Sequence, residues 1–271
     1  MPENETPESL VEKFTPLLMD TIEKRMPRIK QTFGFEYEFM PDRILDLTDM
    51  EDLYAFLHDQ GFEYTDGAFV DSCGMVVTFE PGGQIEYHSV PLLKEDSKAF
   101  SEALEEIRWI NEIIEKHLGI RYIPIAYIPG RGDAPLCLTS ERYVNLHNRL
   151  GHSGKRGREM MKGTASIHLH VVIRYMEEIV PLFLKLKQLV FSDPFAMSDQ
   201  RRSIWDQTDA CRCGLPFGPV HKTDEPVRVI REFVTAAVHA DVLGEERPFY
   251  QIRDQSFDNF YTHFTTIFTD I

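Results

Sequence analysis

The chain has 271 residues, 42% of them hydrophobic and 27% charged, which suits a globular protein with a sizeable core. A formal net charge of −15 argues against nucleic acid or an anionic membrane as the main partner. Cys73, Cys137, Cys211 and Cys213 are too few and too scattered for a disulfide framework. The opening MPENETPES has no basic-then-apolar leader, and no run reaches the roughly 18 uninterrupted apolar residues of a membrane span, so a cytoplasmic chain is expected.

Residues 8–26 carry apolar positions at helical spacing and predict an amphipathic helix that Pro27 ends. Residues 32–40 alternate and predict a strand. A helix follows over 47–60, with Thr48 as N-cap and Gly61 as its stop. The runs 74–80 and 83–89 flank Pro81-Gly82-Gly83 and predict a hairpin. Residues 95–118 form the clearest helix, ending at Gly119. The stretch 129–140 is a Pro/Gly-rich loop, and 151–163 is a basic, glycine-rich loop with Lys155, Arg156 and Arg158, open to a phosphate or simply solvated. A strand over 164–174, a helix over 175–191, a loop holding Cys211 and Cys213, and a helix near 224–240 complete the series. The ending FTTIFTDI reads as the approach to a further strand. There is no internal repeat, no linker and no regular βα alternation. The expectation is a single α+β domain over 1–271 with an antiparallel or mixed sheet packed by helices.

Three of these strands have polar faces. Alternation puts Phe33, Phe35, Tyr37 and Phe39 on one side of the first and Glu36 and Glu38 on the other, about 7 Å apart. Gln84, Glu86 and His88 share a face, backed by Ile85 and Tyr87, with neighbouring glycines that allow close approach by a ligand. Thr164, Ser166, His168 and His170 share a third, backed by Ala165, Ile167, Leu169 and Val171. Taken singly, each also fits a solvated strand or satisfied structural histidines. Together they suit a sheet that holds hard divalent cations on carboxylates, with positions left for nucleotide phosphates. The common phosphate-binding loops, GxxxxGK[ST] and a strand–helix GxGxxG, are missing.

Several ordered segments resemble the glutamate–cysteine ligase family of the plant and bacterial type, within the glutamine synthetase-like superfamily. Gly34-Phe35-Glu36-Tyr37-Glu38-Phe39 is similar to its G-x-E-x-E strand, and Glu80-Pro81-Gly82-Gly83-Gln84-Ile85-Glu86 to its E-P-G-G-Q-x-E segment. Arg142-Tyr143, Gly157-Arg158-Glu159-Met160-Met161 and Thr164 resemble the R-Y … G-R-x-M-M-x-x-T block. Arg201, Ile204-Trp205, Thr208-Asp209, Arg212 and Gly214 resemble R-x-x-I-W-x-x-T-D-x-x-R-x-G, and His263 to Phe268 a late segment.

The resemblance implies a glutamine synthetase-like catalytic domain and a reaction. ATP would phosphorylate the γ-carboxylate of glutamate, and the amine of cysteine would then displace phosphate, the first step of glutathione synthesis. Mg²⁺ on Glu36, Glu38 and Glu86 would clamp the phosphates. Arg201 and Arg212 are the implied catalytic arginines. Gln84, Arg142, Tyr143, Arg201 and Trp205 would bind substrate, and Gln84, His168 and His170 would lie at the nucleotide. Two departures stand out. Where the family reads T-x-x-x-Q-x-N-x-D, this chain has His168, His170 and Val172. The family's following L-E-x-R strand and C-terminal helical region are expected beyond Ile271. The chain is therefore read as lacking the family's C-terminal part, which a homo-oligomer or a partner chain could supply. A different amine acceptor, or a non-catalytic chain that binds nucleotide or glutamate, are the alternatives.

Overall fold

A computed structural model describes residues 5–27, 30–192, 195–209 and 220–268. The chain divides into two compact units, residues 1–29 with 173–271, and residues 30–172. The first unit opens with helix α1 (Pro7–Arg25), close to the predicted span. The Thr6 hydroxyl accepts from the Ser9 amide, Pro7 occupies the first turn, and Lys24 and Arg25 sit where the helix dipole favours cations.

The second unit holds β1 (Thr32–Pro41), α2 (Leu47–Asp59), β2 (Glu63–Thr65), β3 (Ala68–Val70), β4 (Val76–Phe79), β5 (Ile85–His88), β6 (Leu92–Leu93), α3 (Ser97–Leu118), β7 (Tyr122–Ile123), α4 (Glu141–Ser153), α5 (Gly157–Gly163) and β8 (Ile167–Val171). The strands form one sheet in the order β2-β3-β4-β5-β1-β6, with β7 and β8 also on β1, and every pairing is antiparallel. The predicted α+β class with an antiparallel sheet packed by helices is what the chain adopts.

Alternation sorts the sheet's two faces. Phe35, Phe39, Val77, Phe79, Ile85 and Tyr87 turn to one side and bury against Met50, Leu53 and Leu57 of α2 and Ile107, Ile110 and Ile114 of α3. Tyr87 is fully buried, and its hydroxyl donates to Asn111 Oδ1 at 2.7 Å, so no polar atom is stranded there. The edge strand β8 differs. Ile167 and Leu169 on its apolar side are 62% and 43% exposed, so pairing with β1 rather than core burial holds it in place.

Helix α2 is capped by Asp46 rather than the expected Thr48. The Asp46 carboxylate accepts from the Thr48 and Asp49 amides while Asp49 accepts from the Asp46 amide, a complete capping box. The expected hairpin forms between β4 and β5, with Phe79 opposite Ile85. Its glycines have a different reason from the one the sequence suggested. A Cβ at Gly82 would lie 2.4 Å from the Lys162 carbonyl oxygen, so the close approach is made by α5 of this chain.

Residues 151–163 are not a loop: α4 runs to Ser153 and α5 starts at Gly157. The glycine content reflects helix crossing, because a Cβ at Gly157 would meet the Leu150 carbonyl oxygen at 2.4 Å. Gly82→Ala is expected to cost about 1–3 kcal/mol in chemical denaturation through backbone displacement. Gly132→Ala, whose new methyl would meet only ordinary contacts from 3.6 Å, is expected to be near neutral. Equal midpoints for the two variants would refute this packing.

The first unit resumes with α6 (Ile179–Val190), α7 (Asp199–Trp205), α8 (Pro226–His239) and α9 (Phe257–Phe268). Its core joins Leu10, Phe14 and Leu18 to Val229, Ile230, Val234, Phe249 and Phe260. Residues 257–268 are therefore a helix, not the approach to a strand: Phe257, Phe260, Tyr261, Phe264 and Phe268 recur at helical spacing. Among the described residues no helix is long and apolar enough to cross a membrane.

Candidate metal centre

The polar face of the sheet is built where β1 runs between β5 and β8. Register decides which side chains meet. Glu36 lies opposite His88 on one side and His168 on the other, and Glu38 lies opposite Glu86. On the far side of β5, Thr78 is opposite Glu86. Three carboxylates and three imidazoles thus share one patch.

Glu36 is its hub. His168 Nδ1 lies 2.8 Å from Glu36 Oε2, while His170 Nε2 and His88 Nδ1 lie 3.0 and 3.3 Å from Oε1. The other nitrogen of His88 is 3.2 Å from Glu86 Oε2, and His168 Nε2 is 3.8 Å from Glu38 Oε1. The Thr78 hydroxyl donates to Glu86 Oε2 at 2.9 Å, and the Ser166 amide donates to Glu38 Oε2 at 2.8 Å, which fixes both carboxylates.

Hydrogen bonding from His168, then from His88, drives the Glu36 carboxyl far below the usual range. Burial pulls His88 down, but its bonds to Glu36 and Glu86 outweigh that and hold it at about 9. The Glu36 bond also raises His168, against its burial.

Without a metal, these protonated rings bind the carboxylates together. The His88 contribution to stability is complete below its ordinary 6.5 and is lost as pH rises through about 9. That of Glu36 is present above 4.5 and lost only in acid. The melting temperature of chelator-treated chain is therefore expected to fall between pH 6.5 and 9, with a shallower fall in His88→Asn. A flat wild-type profile over that window would contradict the ion pairing.

Two overlapping groups, Glu36 with Glu86 and His88, and Glu38 with Glu86 and His168, each bring three ligand atoms within 4.8 Å of one another. Ligands on opposite sides of a divalent ion at about 2.1–2.4 Å are about 4.2–4.8 Å apart, and adjacent ones are closer. Both groups therefore fit an ion, with Glu86 common to them.

The face unites Glu36, Glu38, Glu86, His168 and His170 as the sequence suggested. His88 was legible as a neighbour of Glu86 but carried no role until the register set it against Glu36. Thr78 was not singled out at all; only its position in β4, opposite Glu86, reveals it.

Gln84 is held inside the fold. It is 2% exposed, its Oε1 accepts from the Gly82 amide, and its Nε2 donates to the Met161 and Thr164 carbonyls. It fastens the hairpin turn to the α5–β8 junction, with a second lone pair left on Oε1. Of the basic residues in 151–163, Arg156 pairs with Glu159 at 2.8 Å and donates to the Tyr127 hydroxyl. Lys162 is buried, with its ammonium on the Ala134 carbonyl, and that burial lowers its pKa.

Arg142 and Tyr143 open α4, with the Arg142 guanidinium 5.2 Å from the centre of the Tyr143 ring. Arg201 and Trp205 belong to α7 of the other unit. Arg212, with Cys211, Cys213 and Gly214, lies outside the described residues.

The family model for glutamate-cysteine ligase family 2 matches residues 32–190, more than half of the chain and all of the polar sheet face. The chain belongs to glutamate-cysteine ligase family 2. No curated protein matches it. Membership points to a ligase-type enzyme of carboxylate–amine chemistry, and the carboxylates of β1 and β5 lie inside the matched segment.

Proposed function

We propose that the chain joins the γ-carboxylate of glutamate to the amine of cysteine, driven by ATP and through a γ-glutamyl phosphate. The observation that carries this reading is the convergence of Glu36, Glu38 and Glu86, with two imidazoles, on a sheet face inside the family-matched segment. Divalent ions held there would neutralise phosphate charge and draw the nucleotide and the acceptor carboxylate together. The protein's own part is position and charge. Glu36, Glu38 and Glu86 hold their carboxylates on rigid central strands, and Thr78 and the Ser166 amide orient two of them.

In this reading the γ-carboxylate oxygen attacks the terminal phosphorus and ADP leaves. The cysteine nitrogen then attacks the acyl carbon, the carbon–oxygen bond to phosphate breaks, and the amine loses its proton. Arg201 and Arg212 are proposed for the negative charge of the phosphoryl group in flight. Arg142, Tyr143 and Trp205 are proposed for the amino acids. Trp205 Nε1 is buried with no hydrogen-bond partner among the described residues, which leaves it a donor to offer. Residues 1–271 are read as one catalytic domain working at the first step of glutathione synthesis in the cytoplasm.

A second reading keeps the acyl phosphate and changes the amine acceptor, because the family match and the carboxylate face support carboxylate–amine ligation without selecting cysteine. One experiment separates the two: ADP release by the purified chain with Mg-ATP and glutamate, with and without cysteine. Cysteine-stimulated release with γ-glutamylcysteine in the mass spectrum is expected. Release stimulated only by another amine selects the second reading, and no glutamate-dependent release from folded chain overturns both.

A further inference from the structure

We infer that the crossing of α4 and α5 is a binding site for a phosphate-type oxyanion, built by Arg158, Lys162 and His147. Residues four apart share a helix face, which places His147 and Gly151 together on α4 and Arg158 and Lys162 together on α5. The Arg158 guanidinium lies on Gly151, where a Cβ would meet Nε and Nη2 at 2.6 Å, and its Nε donates to the His147 carbonyl at 3.4 Å. Lys162 is 2% exposed and sends its ammonium to the Ala134 carbonyl and to His147 Nε2, the latter at 3.4 Å. An ammonium can only donate, so that ring nitrogen accepts and the ring proton sits on Nδ1. Among the described residues, no bond joins these three side chains to the carboxylates and imidazoles of the sheet face.

The charge gathered there lacks a counterpart. Arg43, Arg156, Arg174, Arg228 and Arg247 each reach a carboxylate. Arg158 reaches none among the described residues, although the chain has 44 Asp and Glu against 29 Lys and Arg. Glu159 beside it is taken by Arg156 and the Tyr127 hydroxyl. The Asp133 charge favours the Lys162 ammonium, but among the described residues the two form no ion pair. Burial, then the Arg158 charge, lowers the Lys162 pKa, and burial, then Lys162 and Arg158, lowers that of His147. An oxyanion over the crossing would relieve this repulsion. Arg158 is exposed, and its two terminal nitrogens, without a protein acceptor among the described residues, suit a bidentate contact. Arg158 and Lys162 together carry two positive charges, which a phosphate of about −1.5 to −2 matches and a carboxylate matches only by half.

The test titrates inorganic phosphate into the full-length chain by calorimetry, in chelator and at constant ionic strength, with chloride as the control anion. Saturable binding of phosphate, and none of chloride, is expected. Arg158→Gln is expected to weaken it about 10–100-fold, the worth of a hydrogen bond to a charged group. Gly151→Ala alters no charge, but its methyl displaces the guanidinium, and a loss of about 10-fold is expected. Circular dichroism checks both folds. The His147 ring signals in NMR are expected to shift with phosphate in the wild type and not in Arg158→Gln.

A second titration, with ADP, separates the two sources of such a group. ADP that displaces phosphate, and is itself weakened by Arg158→Gln, makes the crossing a site for a nucleotide's phosphate; phosphate that ADP leaves in place makes it a site for the free ion. Phosphate affinity within threefold of wild type in both folded variants, or heat no larger than that of chloride, overturns the inference. Neither result touches the ligase reading, which glutamate-dependent ADP release decides.

Discussion

Glu86→Gln is expected to lower affinity for Mg-ATP by more than about 100-fold, since loss of a residue merely supporting a metal ligand already costs 10–100-fold. Glu86 is the carboxylate common to both candidate ligand groups, so one substitution weakens two positions at once. It is 7% exposed and accepts from Thr78 at 2.9 Å, and a glutamine oxygen can keep that bond. The charge is then removed with little change of shape. Glu36→Gln and Glu38→Gln each touch one group and are expected to cost less, about 10–100-fold, while the fold persists. Calorimetric titration of Mg-ATP into each variant decides the matter. An affinity within threefold of wild type, in chain with a native circular dichroism spectrum, would remove the metal centre from β1 and β5.

The largest stability effect is expected in the helical unit. Phe14 is fully buried on α1, stacks on Phe260 of α9 at 4.5 Å between ring centres, and meets the edge of Phe249 at 6.1 Å. Phe14→Ala removes the ring and leaves a cavity between elements that cannot close over it, a loss of about 3–5 kcal/mol. Hydrogen exchange is expected to report it as lost amide protection in α1, α8 and α9. Phe195→Ala, at a position 59% exposed, is the control and is expected to change little. Unchanged protection in Phe14→Ala would mean that this aromatic cluster does not carry the unit's stability.

Much of the sheet's chemistry was legible because it rests on a period of two. Glu36 and Glu38 on one side of a strand and Phe35 and Phe39 on the other follow from alternation alone. What alternation leaves open is the register between strands. His88 becomes a partner of Glu36 only because Phe79 faces Ile85 in the hairpin and Glu38 faces Glu86 across β1. A slip of one residue would turn His88 into the core.

The misread segments have local reasons. Glycines at 151, 154, 157 and 163 signalled a loop, yet Gly157 is where α5 crosses the backbone of α4. Threonines and phenylalanines from residue 264 onward signalled the approach to a strand, yet burial against α1 and α8 selected the helix up to Phe268. Strands β2 and β3 are three residues each, too short to leave a pattern. The carbonyls around the Gln84 amide, on Met161 and Thr164, left no signal in the sequence either.

The central position of β1 has a consequence in time. Glu36 and His168 are 132 residues apart in sequence, whereas Glu36, Glu86 and His88 come together as soon as the β4–β5 hairpin docks on β1. Distant pairings form late, because chain-closure entropy must be met before they stabilise anything. At roughly 5–20 residues per second, a ribosome would expose the first ligand group on the order of ten seconds before residue 168 emerges. The nascent chain thus passes through a stage with one complete corner of the centre and a bare carboxylate, Glu38, at the other. A cation bound at that stage would act as a template for β8, and refolding in chelator would be slowest at the step that brings this strand home.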